Sequence, residues 1–274
     1  METLWGIELE FIPTGSLTFR QMPSGILHIM SYPFMPPTTM SGFVQRLLLL
    51  AEGGDWVGYG EDWYGNEKKG SKEFTLTLDP NYRALGAFPP SKQWAIHKTR
   101  RHGPKNFKHQ EFSQLLRSSF EENYQLHHWD YLFCDHLTGW IVAKDAASLA
   151  RLKQLENYGG KAGKEGWLFV RRVSEPRELP LKSGDFTPLG LTLPSLRPTS
   201  GRFYNVYGHH WDASYEWRNG ERGGVVGFTQ LGAWVEVERV AGRYWAWDDQ
   251  RGFPADVPDA FLSGADRELF LSAE

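Results

Sequence analysis

The chain has 274 residues, 41% of them hydrophobic and 23% charged, with a formal net charge of -3. These values suit one large globular domain or a domain with a smaller appendage. They exclude a protein that wraps nucleic acid with its whole surface, so any such site is a local basic patch.

The first predicted element is a strand over residues 3–12, where β-forming residues alternate. A loop with Pro13, Gly15, Pro23 and Gly25 follows. Pro36 and Pro37 stop extended structure, and Thr38 or Thr39 is placed to cap a helix from about Met40 to Ala51, which Gly53 and Gly54 end. Phe43, Val44, Leu47, Leu48 and Leu50 form its apolar stripe. Residues 55–72 read as loop and 73–78 as a strand.

Residues 91–109 carry six Lys or Arg, three His and no acid, with Gly103–Pro104 as a turn at the tip of a hairpin. An amphipathic helical stretch is predicted near Phe112 to Phe120, then a hairpin-like pair over 129–143 turning at Asp135–His136. Residues 146–157 read as a helix with Leu149, Leu152 and Leu155 inward. The loop Gly159 to Gly166 (GGKAGKEG) comes next, and 167–173 form the strand leaving it. Residues 176–198 read as a Pro-rich linker or wrapping arm, and about 200–250 as a β-rich region forming a small sheet. In order this is a ferredoxin-like βαββαβ pattern, an α+β fold, with a long insertion.

Cys134 is the only cysteine, so no intrachain disulfide is expected, and its place after Tyr131, Leu132 and Phe133 predicts a buried thiol. The N-terminus lacks a basic region followed by a long apolar stretch, and no apolar run reaches bilayer length. A cytoplasmic protein without signal peptide or membrane span is therefore expected. The 12 tryptophans suit a β-rich core, a protein interface or base stacking alike.

Three segments carry candidate chemistry. In GGKAGKEG, glycines let backbone N–H groups approach a phosphate, and Lys161 and Lys164 add mobile charge. It is no Walker A loop: no Ser or Thr follows the lysine, and it leads from a helix into a strand. A flexible solvated turn is the plain alternative. The basic stretch 91–109 is a natural phosphate track with Trp94 and Phe107 as stacking groups, or else a solvated face. His97, His102 and His109 lie in it, and a His, Lys and Tyr set is the chemistry for metal-independent RNA cleavage. His127–His128 with Asp130, Asp135–His136, and His209–His210 with Asp212 are ligand types without metal-site spacing, so no metal and no cofactor is expected.

Tyr32 to Phe43 (YPFMPPTTMSGF) resembles the Pro-Pro-Thr-Thr-x-x-Gly signature of the Cas-five family, CRISPR-associated RAMP proteins of type I Cascade complexes. GGKAGKEGWLFV is similar to the glycine-rich loop of the same superfamily. The resemblance covers the chain to about residue 175. It implies an RRM-like, ferredoxin-like RAMP domain over 1–175 with a thumb-like basic hairpin inserted at about 80–130, and a β-rich C-terminal region over 176–274. It implies a non-catalytic subunit that caps the 5′ handle of the crRNA in antiviral defence. Its partners would be the Cascade backbone and large subunits, with target DNA near the PAM as a further contact. One subtype also cleaves precursor RNA. The RNA-binding set is then Lys161, Lys164, Gly160, Gly163, Lys98, Arg100, Arg101, Lys105, Lys108, Trp94, Phe107, Thr39 and Ser41. An endoribonuclease on the same fold, and an unrelated aromatic-rich β module for carbohydrate or protein, are the alternatives.

Overall fold

The computed structural model describes residues 3–21, 28–52, 82–104, 124–216, 222–260 and 262–263. The expected elements at 55–72, 73–78 and Phe112 to Phe120 lie outside them. The described chain is strand-rich with few helices. Its centre is β1 (Thr3–Pro13), whose Ile7, Leu9 and Phe11 are fully buried.

One edge of β1 pairs antiparallel with β8 (Leu137–Ala143), which in turn pairs antiparallel with β5 (Tyr82–Phe88). The other edge takes two strands end to end. β10 (Trp167–Val173) lies along Leu9 to Pro13, and β11 (Arg177–Pro188) along Thr3 to Gly6. Ser174 fills the gap: its N–H donates to the Glu8 carbonyl, and its hydroxyl accepts from the Glu8 N–H, both at 2.9 Å. The passage read as a Pro-rich linker is thus largely strand. Pro180 lies inside β11, opposite Thr3, where the pairing with β1 ends and the pairing with the next strand begins at Leu181, and Pro188 is at the last position of β11; a proline is tolerated where a ladder starts or stops. Beyond β1, β11 pairs with β14 (Val240–Ala246) and β15 (Arg251–Pro254).

Helix α1 (Pro37–Ala51) begins earlier than expected, and no side chain caps it. Pro37 at the first helical position has its φ preset and no N–H to leave unpaired, so Thr39 and Ser41 fall inside the helix. The stripe holds: Phe43, Val44, Leu47 and Leu48 are buried, with Phe43 edge-on to Phe11 at 5.9 Å. The second helical segment is α2 (Ala146–Ala150), continued by a 3₁₀ turn over Arg151–Leu155. Leu149, Leu152 and Leu155 are all buried. Their strict spacing of three suits 3₁₀ geometry, in which such side chains eclipse.

Two hairpins complete the architecture. β6 (Trp94–Pro104) pairs antiparallel with β7 (Tyr124–Cys134) over eleven positions. Gly103 and Pro104 are strand, opposite Gln125 and Tyr124, and not the tip. Among the described residues β6 has a strand neighbour on one side only, and at such an edge a proline costs little. Asp135–His136 is no hairpin turn: β7 pairs with β6, and β8 with β1 and β5. There the chain bends from one ladder into another. The second hairpin joins β12 (Arg202–Glu216) to β13 (Arg222–Val235). No helix among the described residues is long and apolar enough to cross a membrane.

Candidate nucleic-acid interface

The loop read as GGKAGKEG is partly sheet. Gly159–Lys161 form β9, antiparallel to β10, because Gly160 is buried with room against Leu47 and Phe43 of α1. The remainder is a tight turn docked on Leu17–Thr18. The Thr18 N–H donates to the Glu165 carbonyl and the Lys164 N–H to the Thr18 carbonyl, each at 2.9 Å; the Ala162 N–H donates to Gly166 at 3.0 Å. Gly163 has φ +67°, and a Cβ there would lie 2.5 Å from the Thr18 carbonyl oxygen. The amides of Ala162 and Lys164 are therefore committed within the protein, and what the turn offers outward is the Lys161 and Lys164 side chains, both on exposed residues.

The segment that holds this turn also holds the hairpin. Leu17 exchanges backbone hydrogen bonds with Leu132 of β7, at 3.0 and 2.8 Å. The Thr18 hydroxyl donates to the Asp130 carbonyl at 3.1 Å and accepts from the Trp129 indole at 3.2 Å. Next along the same edge of β7 is β3 (His28–Ile29), parallel to His128–Trp129. Side chains then close the contact directly. The Lys164 ammonium lies 5.3 Å from the Trp129 ring centroid, within cation–π range. The Tyr131 hydroxyl donates to Glu165 at 2.8 Å.

Opposite residues of a ladder share a face. Lys98 lies opposite Asp130, Arg100 opposite His128, and His128 beside His28, so these five form one face of β3–β7–β6. Lys98 and Arg100 are exposed. His28 Nε2 is 3.2 Å from Asp130 Oδ1, and the His28 and His128 rings meet edge-on at 5.8 Å. His127 is buried while His128 is half-exposed, as adjacent strand residues on opposite faces should be. Among the described residues no three His, Cys, Asp or Glu side chains are grouped to hold a metal.

The other sequence candidates scatter. Arg101 is on β6 opposite His127, and His97 opposite Tyr131 with its ring edge-on to Phe133. Trp94 stands at the hairpin's base, its indole N–H donating to Glu236 at 2.9 Å and one face covered by Arg202 at 4.8 Å. Thr39 and Ser41 are half-buried in the first two turns of α1. His209, His210 and Asp212 lie on β12 opposite Phe228, Gly227 and Gly224. Lys105, Phe107, Lys108 and His109 lie outside the described residues. Sequence reasoning missed Trp129, Tyr131 and His28, which no local motif marks. It also missed Trp167 and Phe169, whose outward alternation in WLFVRRV was there to be read.

No family model and no curated protein matches the chain. Solved structures overlap it weakly. A chain of the type III-B Cmr-beta complex bound to cognate target RNA is 13% identical, with 85% of this chain and 86% of that one covered and a TM-score of 0.41. The same complex with cognate target RNA and AMPPnP gives 12% identity, the same coverage and a TM-score of 0.41. A CRISPR protein from Archaeoglobus fulgidus gives 15% identity, 90% and 97% coverage and a TM-score of 0.37. TM-scores this low establish neither a shared fold nor a shared function.

Proposed function

We propose that the protein binds RNA at the β6–β7 hairpin and the glycine turn docked against it, as a guide-RNA-binding subunit of a type I CRISPR Cascade complex that caps the 5′ handle. One observation carries the RNA-binding reading. The glycine turn and the β6–β7 hairpin, far apart in sequence, meet through Thr18, with Lys164 on Trp129 and Glu165 on Tyr131, on the opposite face of β7 from Lys98 and Arg100. Trp129 and Tyr131 are buried and serve as the joint, while Lys98, Arg100, Lys161 and Lys164 are exposed. Exposed cations gathered on two adjoining segments of a protein with slightly negative net charge are what a local nucleic-acid site requires. The Cascade assignment is supported by the likeness of YPFMPPTTMSGF and GGKAGKEG to the Cas-five signatures. The order β10–β1–β8–β5, each strand antiparallel to the next, supports reading the core as a ferredoxin-like βαββαβ domain, with β6–β7 as its thumb. Binding is the assigned role, and no residue is assigned to catalysis.

The test is fluorescence anisotropy with single-stranded RNA across a salt series. Replacing Lys98 and Arg100 by Ala should weaken binding about tenfold near physiological salt and flatten the log–log salt slope by roughly 0.7 per lost contact. Unchanged affinity and slope would remove the hairpin from the site. A repeat RNA with its own 5′ handle should compete better than a scrambled one, and equal competition would sink the handle assignment.

A second reading, metal-independent cleavage of precursor RNA, is favoured by one cluster. His28 is oriented by Asp130, His128 stands beside it, and Lys98 and Arg100 share the face. These are the types needed for a base, an acid and a stabiliser of phosphorane charge. It predicts cleavage in EDTA that His128→Ala abolishes; intact RNA after long incubation with excess protein ends it.

A further inference from the structure

Strand β10 turns Leu168, Val170 and Val173 into the core and leaves Trp167 at 54% and Phe169 at 44% exposure. A half-buried antiparallel strand ordinarily shows polar residues outward. Two large aromatics at alternate positions are the departure that calls for a ligand. Their neighbours on that face are ordered by register. Lys161 of β9 lies opposite Trp167, and Gly159 opposite Phe169. The missing side chain at Gly159 is what lets the Phe169 ring lie against the sheet: a Cβ there would stand 2.5 Å from its Cδ1. Arg171 comes next, 3.2 Å from Glu10 of β1, so that one cation is already partly answered and Lys161 is the cation beside the rings.

We propose that the outward face of β9–β10 is a stacking platform for single-stranded RNA, with Trp167 and Phe169 each taking a base and Lys161 taking the backbone. The proposal rests on the RNA-binding reading above and adds a second surface to it. Alternate strand residues lie about 6.6 Å apart, so two rings in a row present separate steps to an unstacked strand, the way sheet aromatics receive bases. Charge favours nucleic acid over a protein partner. Lysine is depleted in the core of protein interfaces, yet here it stands directly across from the more exposed ring. The platform also adjoins the hairpin, on the Trp129 side of β7. The turn that leaves Lys161 reaches Lys164 three residues on, and Lys164 rests on Trp129, so an RNA leaving Trp167 is led by lysines along the turn.

The full chain is titrated with a labelled single-stranded RNA, beside Trp167→Ala with Phe169→Ala, Lys161→Ala, Trp167→Phe and the Lys98→Ala, Arg100→Ala pair. Loss of both rings should weaken binding at least tenfold, with an unchanged salt slope and melting temperature. Trp167→Phe should bind nearly as wild type. Lys161→Ala should flatten the slope by roughly 0.7. Ultraviolet crosslinks should map to Trp167 or Phe169. If the ring-less variant binds within twofold of wild type while the hairpin variant is weakened, the platform is overturned and the RNA-binding reading stands. If the ring-less variant keeps its RNA affinity and loses self-association, the face is a protein interface and the proposal is equally overturned. If the wild-type chain itself has no RNA affinity, the underlying reading falls first.

Discussion

The glycine turn and the β6–β7 hairpin both looked like phosphate-binding segments, yet they are built in opposite ways. In the turn the backbone is spent on the fold: the amides of Ala162 and Lys164 are bonded inside the protein, and Gly163 fits under a carbonyl oxygen. In the hairpin the backbone is an ordinary ladder, and Lys98 and Arg100 are exposed on one face of it. Glycine abundance thus reports close packing here, and exposed cations report the candidate site. The largest effect should come from testing that division. Gly163→Ala puts a left-handed residue and a buried clash in the turn, and should cost about 3 kcal/mol in denaturant unfolding. Gly160→Ala, whose Cβ would stand 3.6 Å from Leu47, should change stability by less than about 1 kcal/mol. Equal tolerance at both positions would make the turn a flexible phosphate cradle after all.

A smaller effect concerns the joint between the two regions. Tyr131→Phe removes the hydroxyl that donates to Glu165 across a partly buried contact, and should cost about 1–2 kcal/mol. It removes no cation, so the salt slope of RNA binding should not move. A changed slope would mean that the turn and hairpin are positioned by the RNA and not by each other.

What was legible in the sequence follows the range of the forces involved. β1, the stripe of α1, and Leu149, Leu152 and Leu155 were readable because burial imposes a local period on them. Lys98, Lys161 and Lys164 were readable as exposed charge. The errors came where distant partners overrode local preference. Gly103–Pro104 has strong turn propensity, but the ladder to Gln125 and Tyr124 extends it. Asp135–His136 looked like a hairpin turn because nothing local tells a strand that its continuation pairs elsewhere. The joint through Thr18 depends on residues over a hundred positions apart, beyond any motif.

The smallest effect lies where the hairpin meets the core. Cys134 is the last residue of β7, and its thiol is pushed up to about 12 from an ordinary 9.0, first by burial and then by the charge of Asp135. It is half-buried opposite Trp94, which is tied to Glu236 and Arg202. At pH 8 the folded thiol should therefore react with iodoacetamide far more slowly than the unfolded chain. The sign of the linkage follows from the same displacement. Between about pH 9 and 12 the unfolded thiol gives up its proton while the folded one keeps it, so stability present below that window declines as pH rises through it. Cys134→Ser should flatten this decline, since a hydroxyl does not titrate there. Trp94→Ala should speed alkylation in the native state by opening the base, with little change at the solvent-facing cations further out. If alkylation is already fast in the wild type, the base of the hairpin is as open as its outer face, and the contrast between a packed joint and a free charged strand fails at this end.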